Sequence, residues 1–203
     1  MNTNSVSFSD WLVSREALLE KEKAATKIGD ELAKARQDMP MVKVEKDYRF
    51  VTERGEASLS DLFSDTSQLI VYHFMFGEGW ESTCEGCTAW ADAFNGTTSG
   101  FKNADANLIA ISNAPLDQLV KEKLRRNWRF DWVSAYGSDF GVDFYASAES
   151  VETASTKVGN QEVFFDRGEN HAISFFYKDE SGQVFLTYNC FNRGVEPMNG
   201  SFA

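Results

Sequence analysis

Cys84 and Cys87 flank Glu85 and Gly86, and one further cysteine, Cys190, completes the thiol content of the chain. Two cysteines at this spacing serve thiol–disulfide exchange or metal ligation, or stand as an inert pair. In exchange, a thiolate attacks a disulfide sulfur to form a mixed disulfide, and the second thiol then releases the product. Cys84 is the expected nucleophile and Cys87 the expected resolving thiol. A zinc site needs four ligands, of which this pair supplies two. Cys190, His73 and His171 would have to converge from distant positions, and there is no second cysteine pair. The expected site therefore holds no metal and calls for no cofactor.

The neighbours of the pair act in opposite directions. Ser82 and Glu85 have the spacing of a capping box, which predicts Cys84 in the first turn of a helix. There, unpaired N–H groups and the helix dipole favour a thiolate by about 0.3–1 kcal/mol. Glu81 and Glu85 disfavour it and predict a couple at the reducing end of the range. Trp80 is expected in the substrate-docking surface, and His171, ahead of the last hairpin, is the second candidate for substrate contact. His73 lies inside an apolar run and reads as a satisfied core histidine, with proton transfer to Cys87 as the alternative. Cys190 reads as a buried thiol.

A pair of this kind needs a helix start placed at the end of a buried strand, and the surrounding pattern predicts both. Gln68–Phe76 is apolar at nearly every position, as in a central strand covered on both faces. Cys87–Phe101 then carries Trp90, Ala91, Phe94 and Phe101 along one helical face. Asn107–Ser112 is a second buried strand. Pro115 opens another helix, lined by Leu116, Leu119, Val120 and Leu124. Ala146–Gln161, rich in Ser, Thr, Glu and Gly, reads as a loop. Ile173–Lys178 and Val184–Tyr188 form an antiparallel hairpin across Asp179–Gly182.

Upstream, Ser9–Gln37 has the spacing of one long helix, followed by a strand over Val42–Phe50. A turn near Arg54-Gly55, a short return and a helical turn at Ser58–Phe63 come next. Strand, helix, strand, helix and hairpin in this order predict an α/β fold with a mixed four-stranded sheet, the thioredoxin architecture. The expected organisation is an N-terminal helical extension, 1–41, and a thioredoxin-like domain, 42–203, that opens with the β-hairpin extension.

Composition narrows the partners. With 203 residues, 42% of them hydrophobic, the chain can bury one good core. Its net charge of −11 repels phosphate backbones and anionic lipid, so neither nucleic acid nor membrane is an expected partner. The polar start lacks the apolar stretch of a signal peptide, and the longest apolar run is too short to span a bilayer, which points to the cytoplasm.

Several stretches resemble a bacterial thioredoxin-like family catalogued as domain of unknown function 899. They are Leu12–Lys23, Val44-Glu45-Lys46-Asp47-Tyr48, Leu69–Gly77, Gly86–Asp92, Gly137-Ser138-Asp139-Phe140 and Asn192-Arg193-Gly194. The resemblance implies a dithiol–disulfide oxidoreductase acting on a protein or small-molecule disulfide. Two features depart from thioredoxin relatives. No proline stands near Ala172-Ile173, where a cis-proline is usual, and the fifteen residues after Tyr188, with Gly194, Pro197 and Gly200 among them, are not expected to form a closing helix. With the next two helices expected on different faces of the sheet, part of one face would stay uncovered. That predicts a homodimer through the N-terminal helix. Two other functions stay open: a thiol peroxidase, with Thr83 and Arg193 around the sulfur, and a non-catalytic binding module of the same fold.

Overall fold

The structure, a computed structural model, describes residues 5–191, which fall into two units divided after Pro40. The first holds helix α1 (Phe8–Gln37), capped by Ser7, whose hydroxyl accepts from the Asp10 N–H at 3.2 Å. Lys34 and Arg36 in its last turn suit the negative end of the dipole. At 1.5 Å per residue α1 extends about 45 Å.

In the second unit the strands are β1 (Val42–Lys43), β2 (Arg49–Thr52), β3 (Gly55–Ser58), β4 (Gln68–His73), β5 (Ala106–Ser112) and β6 (Asp131–Ser134), followed by β7 (Ser155–Val158), β8 (Gln161–Phe164), β9 (Ala172–Lys178) and β10 (Val184–Cys190). The helices are α2 (Glu85–Phe94), α3 (Thr98–Asn103), α4 (Leu116–Arg126) and α5 (Phe140–Asp143). Eight strands make one mixed sheet in the order β1-β10-β9-β4-β5-β6-β2-β3, and β7 with β8 forms a separate hairpin. β4, β5 and β6 run parallel, and β9 joins β4 antiparallel.

β4 and β5 form where the apolar runs predict them, and every residue of β5 is buried. Steps from β4 to β5 and from β5 to β6 go the same way across the sheet. Right-handed crossovers in one direction put their helices on one face. The expectation that the two helices lie on different faces is therefore corrected: Cys87 and Ala91 of α2 and Leu119 of α4 share one core with Tyr72, Leu108, Ala110 and Trp132. The other face packs Leu69, Val71, Ile109, Val133 and Phe176 against Phe63, Phe140 and Phe144. On the α2 side, over β9 and β10, Phe175 and Tyr188 are only partly buried.

Other expectations are revised in detail. Val42–Phe50 is not one strand: β1 pairs with β10 at one border, and β2 pairs with β6 toward the other. The break is held by Lys46, whose ammonium donates to Asp139 and Asp143 at 2.7 Å each, and by the Tyr48 hydroxyl on Asp143. The helix predicted over Cys87–Phe101 divides around Asn95-Gly96, and Asn95 instead accepts from the Arg129 N–H at 2.7 Å. The predicted loop contains β7 and half of a polar hairpin turning at Gly159, where φ is +58°. The predicted absence of a closing helix falls on residues 192–203, outside the described residues, as do Arg193 and the Asn192-Arg193-Gly194 stretch.

Candidate active site

β4 ends at His73, and the chain passes through a loop, 77–83, before α2 begins. Cys84 itself is the cap of α2, so the expected Ser82 capping box is replaced by a sulfur. Its Sγ accepts from the Cys87 N–H at 3.4 Å, as a short side chain at the cap position can. Cys84 is half-buried, whereas Cys87, one turn further, is 4% exposed. Cys84 and Cys87 are both free thiols, not joined to each other.

The environments drive the two sulfurs apart. The Cys87 thiol and the backbone N–H groups of Cys87 and Gly86 hydrogen-bond the Cys84 sulfur and bring its pKa down to about 6, against burial and the charge of Asp166. Cys87 moves upward, because its bond to Cys84 and its burial both favour the thiol; the Tyr72 hydroxyl, hydrogen-bonded to it, works the other way. The expected brake on the thiolate was Glu81 and Glu85. All the carboxylates concerned are exposed to solvent, and the one whose charge opposes the thiolate is Asp166, from a loop far along the chain.

Two segments hold the 77–83 loop. From α4, the Gln118 amide donates to the Gly77 carbonyl at 3.0 Å and accepts from the Gly79 N–H at 3.2 Å. From the turn before β9, the Arg167 guanidinium stacks 3.5 Å over the Trp80 ring. At Gly77 a Cβ would come within 2.8 Å of Trp80 Nε1, so a larger residue there would displace the ring. Thr83 is buried, and its Oγ1 lies 2.8 Å from that of Thr88 and 3.5 Å from Arg126 Nη2.

The family described as "Bacterial protein of unknown function (DUF899)" matches residues 1–203. The chain belongs to the DUF899 family. The DUF899 chain is similar in fold to peroxiredoxin Q structures. A mutant from Xylella fastidiosa aligns at TM-score 0.54 and 12% identity, covering 80% of this chain and 95% of that one. A mutant from Xanthomonas campestris aligns at TM-score 0.50 and 14% identity, covering 78% and 94%. The fold is thus thioredoxin-like. No curated protein matches the sequence.

Of the candidate residues, the DUF899 chain brings Trp80, Cys84 and Cys87 to one core edge. His171 stands directly before β9, partly buried, with its pKa lowered by burial, and is hydrogen-bonded to neither sulfur. His73 is buried, 2.8 Å from Ser174 Oγ and stacked on Phe140, and burial takes its pKa down to about 3. It is a neutral core histidine. Cys190 is buried in the same core as Cys87. Among the described residues no cluster of three or more His, Cys, Asp or Glu side chains is arranged to hold a metal ion, and no helix is long and apolar enough to cross a membrane. Tyr72, Gln118, Asp166 and Arg167 were not foreseen. Tyr72 had one signal, a hydroxyl inside an apolar strand that must find a partner.

Behind the loop lies Glu169, 6% exposed, accepting from Ser147 Oγ at 2.9 Å and Asn113 Nδ2 at 3.2 Å. It faces a cavity of about 10 Å³, room for one water, shared with His73, Ser112 and Asn170. A Cβ at Gly141 would collide with the Ser147 side chain and push it off Glu169. Burial raises the Glu169 pKa from 4.5 to about 7. The native state then holds the proton more tightly than the unfolded chain, so stability falls as pH rises from about 4.5 to about 7. Glu169→Gln removes that loss. Urea unfolding should find the variant close to wild type at pH 4.5 and more stable at pH 8, by up to about 3 kcal/mol. A difference that does not vary with pH would refute the assignment.

Proposed function

We propose that this protein is a dithiol–disulfide oxidoreductase, with Cys84 as nucleophile and Cys87 as resolving thiol. The observation that carries the reading is the division of labour between the sulfurs. Cys84, half-exposed at the head of α2, has a pKa lowered to about 6, while Cys87 is buried with its proton held.

The Cys84 thiolate attacks one sulfur of a substrate disulfide. A Cys84–substrate bond forms, the substrate's S–S bond breaks, and the other half leaves as thiolate. Forming the mixed disulfide consumes the negative charge on Cys84. That charge and its hydrogen bond were holding the Cys87 proton, so the Cys87 pKa falls at this step. Cys87 gives its proton to the departing thiolate, attacks Cys84, and frees the second half. The substrate gains two electrons, the dithiol becomes a disulfide, and an external thiol reductant restores it. Tyr72 steadies the emerging Cys87 thiolate through its hydroxyl.

Trapping tests this. Cys87→Ser should accumulate mixed disulfides on Cys84, visible by non-reducing electrophoresis and released by dithiothreitol, and the Cys84→Ser/Cys87→Ser double variant should accumulate none. Equal trapping in the two would overturn the assignment of the nucleophile.

The likeness to peroxiredoxin Q structures favours a second reading, peroxide reduction at the same thiolate. There Cys84 takes one peroxide oxygen as a sulfenic acid, an alkoxide or hydroxide leaves, and Cys87 condenses with the sulfenate to give the disulfide and water. Dimedone labelling of Cys84 in Cys87→Ser after peroxide, together with peroxide turnover, would select this reading over disulfide exchange.

A further inference from the structure

The turn beside the dithiol loop holds an arginine where the backbone disfavours one. Asp166 and Glu169 close it by reciprocal N–H to carbonyl bonds of 2.8 and 2.9 Å. Its two central residues have positive φ, +50° at Arg167 and +80° at Gly168, the pattern of a type I′ turn. Gly168 is required, since a Cβ there would lie 3.0 Å from the Val151 Cα. At the first central position Asn, Asp or Gly costs less than a long side chain. A residue held against its backbone preference beside a reactive thiol draws attention to its side chain.

That side chain is fixed without being used up. Stacking on Trp80 sets the plane of the guanidinium, yet 55% of the side chain is exposed. Trp80 is itself held in place by Gly77 and Gln118, and it packs on the same core as Cys84. The one ion pair of Arg167 among the described residues is a long contact with Asp166, at 3.5 Å. Elsewhere the chain around Cys84 is acidic, with Glu78, Glu81 and Glu85 exposed.

We propose that Arg167 is the specificity-determining residue of this site, receiving a carboxylate of an anionic disulfide whose sulfur docks at Cys84. This rests on the exchange reading and names its substrate class. A planar fork held rigid binds a carboxylate through two parallel N–H···O bonds, and Arg is suited to that where Lys is not. Asp166 competes with the substrate for the same donors.

Alkylation separates recognition from redox turnover. Iodoacetate carries a carboxylate and iodoacetamide does not, and the ratio of their rates at one thiol cancels its thiolate fraction. Arg167→Gln should lower that ratio at Cys84, read by peptide mass spectrometry, about tenfold. Arg167→Lys should fall between, and Asp166→Asn should raise the ratio. In turnover, Arg167→Gln should raise KM for oxidised glutathione about tenfold with no such rise for cystamine, whose ends are ammonium groups. A ratio unchanged in Arg167→Gln and Arg167→Lys, or equal KM rises for both disulfides, overturns the proposal. If Arg167→Gln unfolds, Cys87 and Cys190 become labelled as well, and Arg167→Lys decides. A wild-type protein that exchanges with neither disulfide but keeps the Arg167-dependent ratio would refute the redox reading and leave the anion site standing.

Discussion

Serine at position 84 should abolish thiol–disulfide exchange, by at least about 10³-fold, because no other sulfur is both exposed and activated. The intact thiol should titrate near pH 6, and this makes a sharper prediction about rates. At pH 6 an ordinary thiol of pKa about 8.5 is roughly 0.3% ionised, against about half for Cys84. Lower basicity costs nucleophilicity, by roughly tenfold over this span at a Brønsted slope near 0.45. The net expectation is that Cys84 reacts with iodoacetamide about tenfold faster than a free thiol at pH 6. By pH 8 the order reverses, with Cys84 slower by roughly threefold. Cys87 and Cys190, buried, should lag far behind at both. A rate for Cys84 that keeps climbing with pH through 8 would mean the thiolate is not stabilised, and the proposed mechanism would lose its nucleophile.

The largest loss of stability is expected at Phe140. It is fully buried, meets Tyr48 and Phe50 edge-on at 5.0 and 4.9 Å between centroids, and stacks on His73. Phe144, at 4.7 Å, completes the group. Truncation to alanine removes the ring's transfer energy and leaves a cavity that rigid aromatic neighbours cannot fill, so Phe140→Ala should cost about 3–5 kcal/mol. Urea unfolding should show this as a lower midpoint with an unchanged slope. A cost below about 1 kcal/mol would mean that the surrounding rings collapse onto the space.

The parts of this fold that could be read in advance are those set by local pattern. Gln68–Phe76 and Asn107–Ser112 announce buried parallel strands because covering both faces leaves no polar alternation. The last hairpin is marked by its Asp179–Gly182 turn. β6 passed unnoticed because four residues, Asp131–Ser134, carry too little pattern to register. β7 and β8 were hidden in polar composition, although Gly159-Asn160 is a hairpin dipeptide. Placing α2 and α4 on opposite faces failed for another reason: without β6, the second crossover had no known direction.

The site divides the same way. The cysteine spacing and its helix start are local, and both were legible. Asp166 and Arg167 reach the 77–84 segment only through tertiary structure, so the charge nearest the thiolate was assigned to Glu81 and Glu85, its neighbours in the chain. Sequence proximity is a poor guide to which charge acts on a thiolate once the fold brings a remote loop beside it.

The segment from Val42 to Ser58 has a further consequence. Its first strand closes one border of the sheet on β10, and its last forms the other border beyond β2. The long, apolar central strands β4 and β5 therefore lie inside the sheet, and its outermost strands are two residues at β1 and four at β3, with Thr187–Cys190 of β10 running on past β1. Borders so short are poor templates for another chain's strand. For so apolar a sheet, short outer strands limit the length of ladder that another chain could extend.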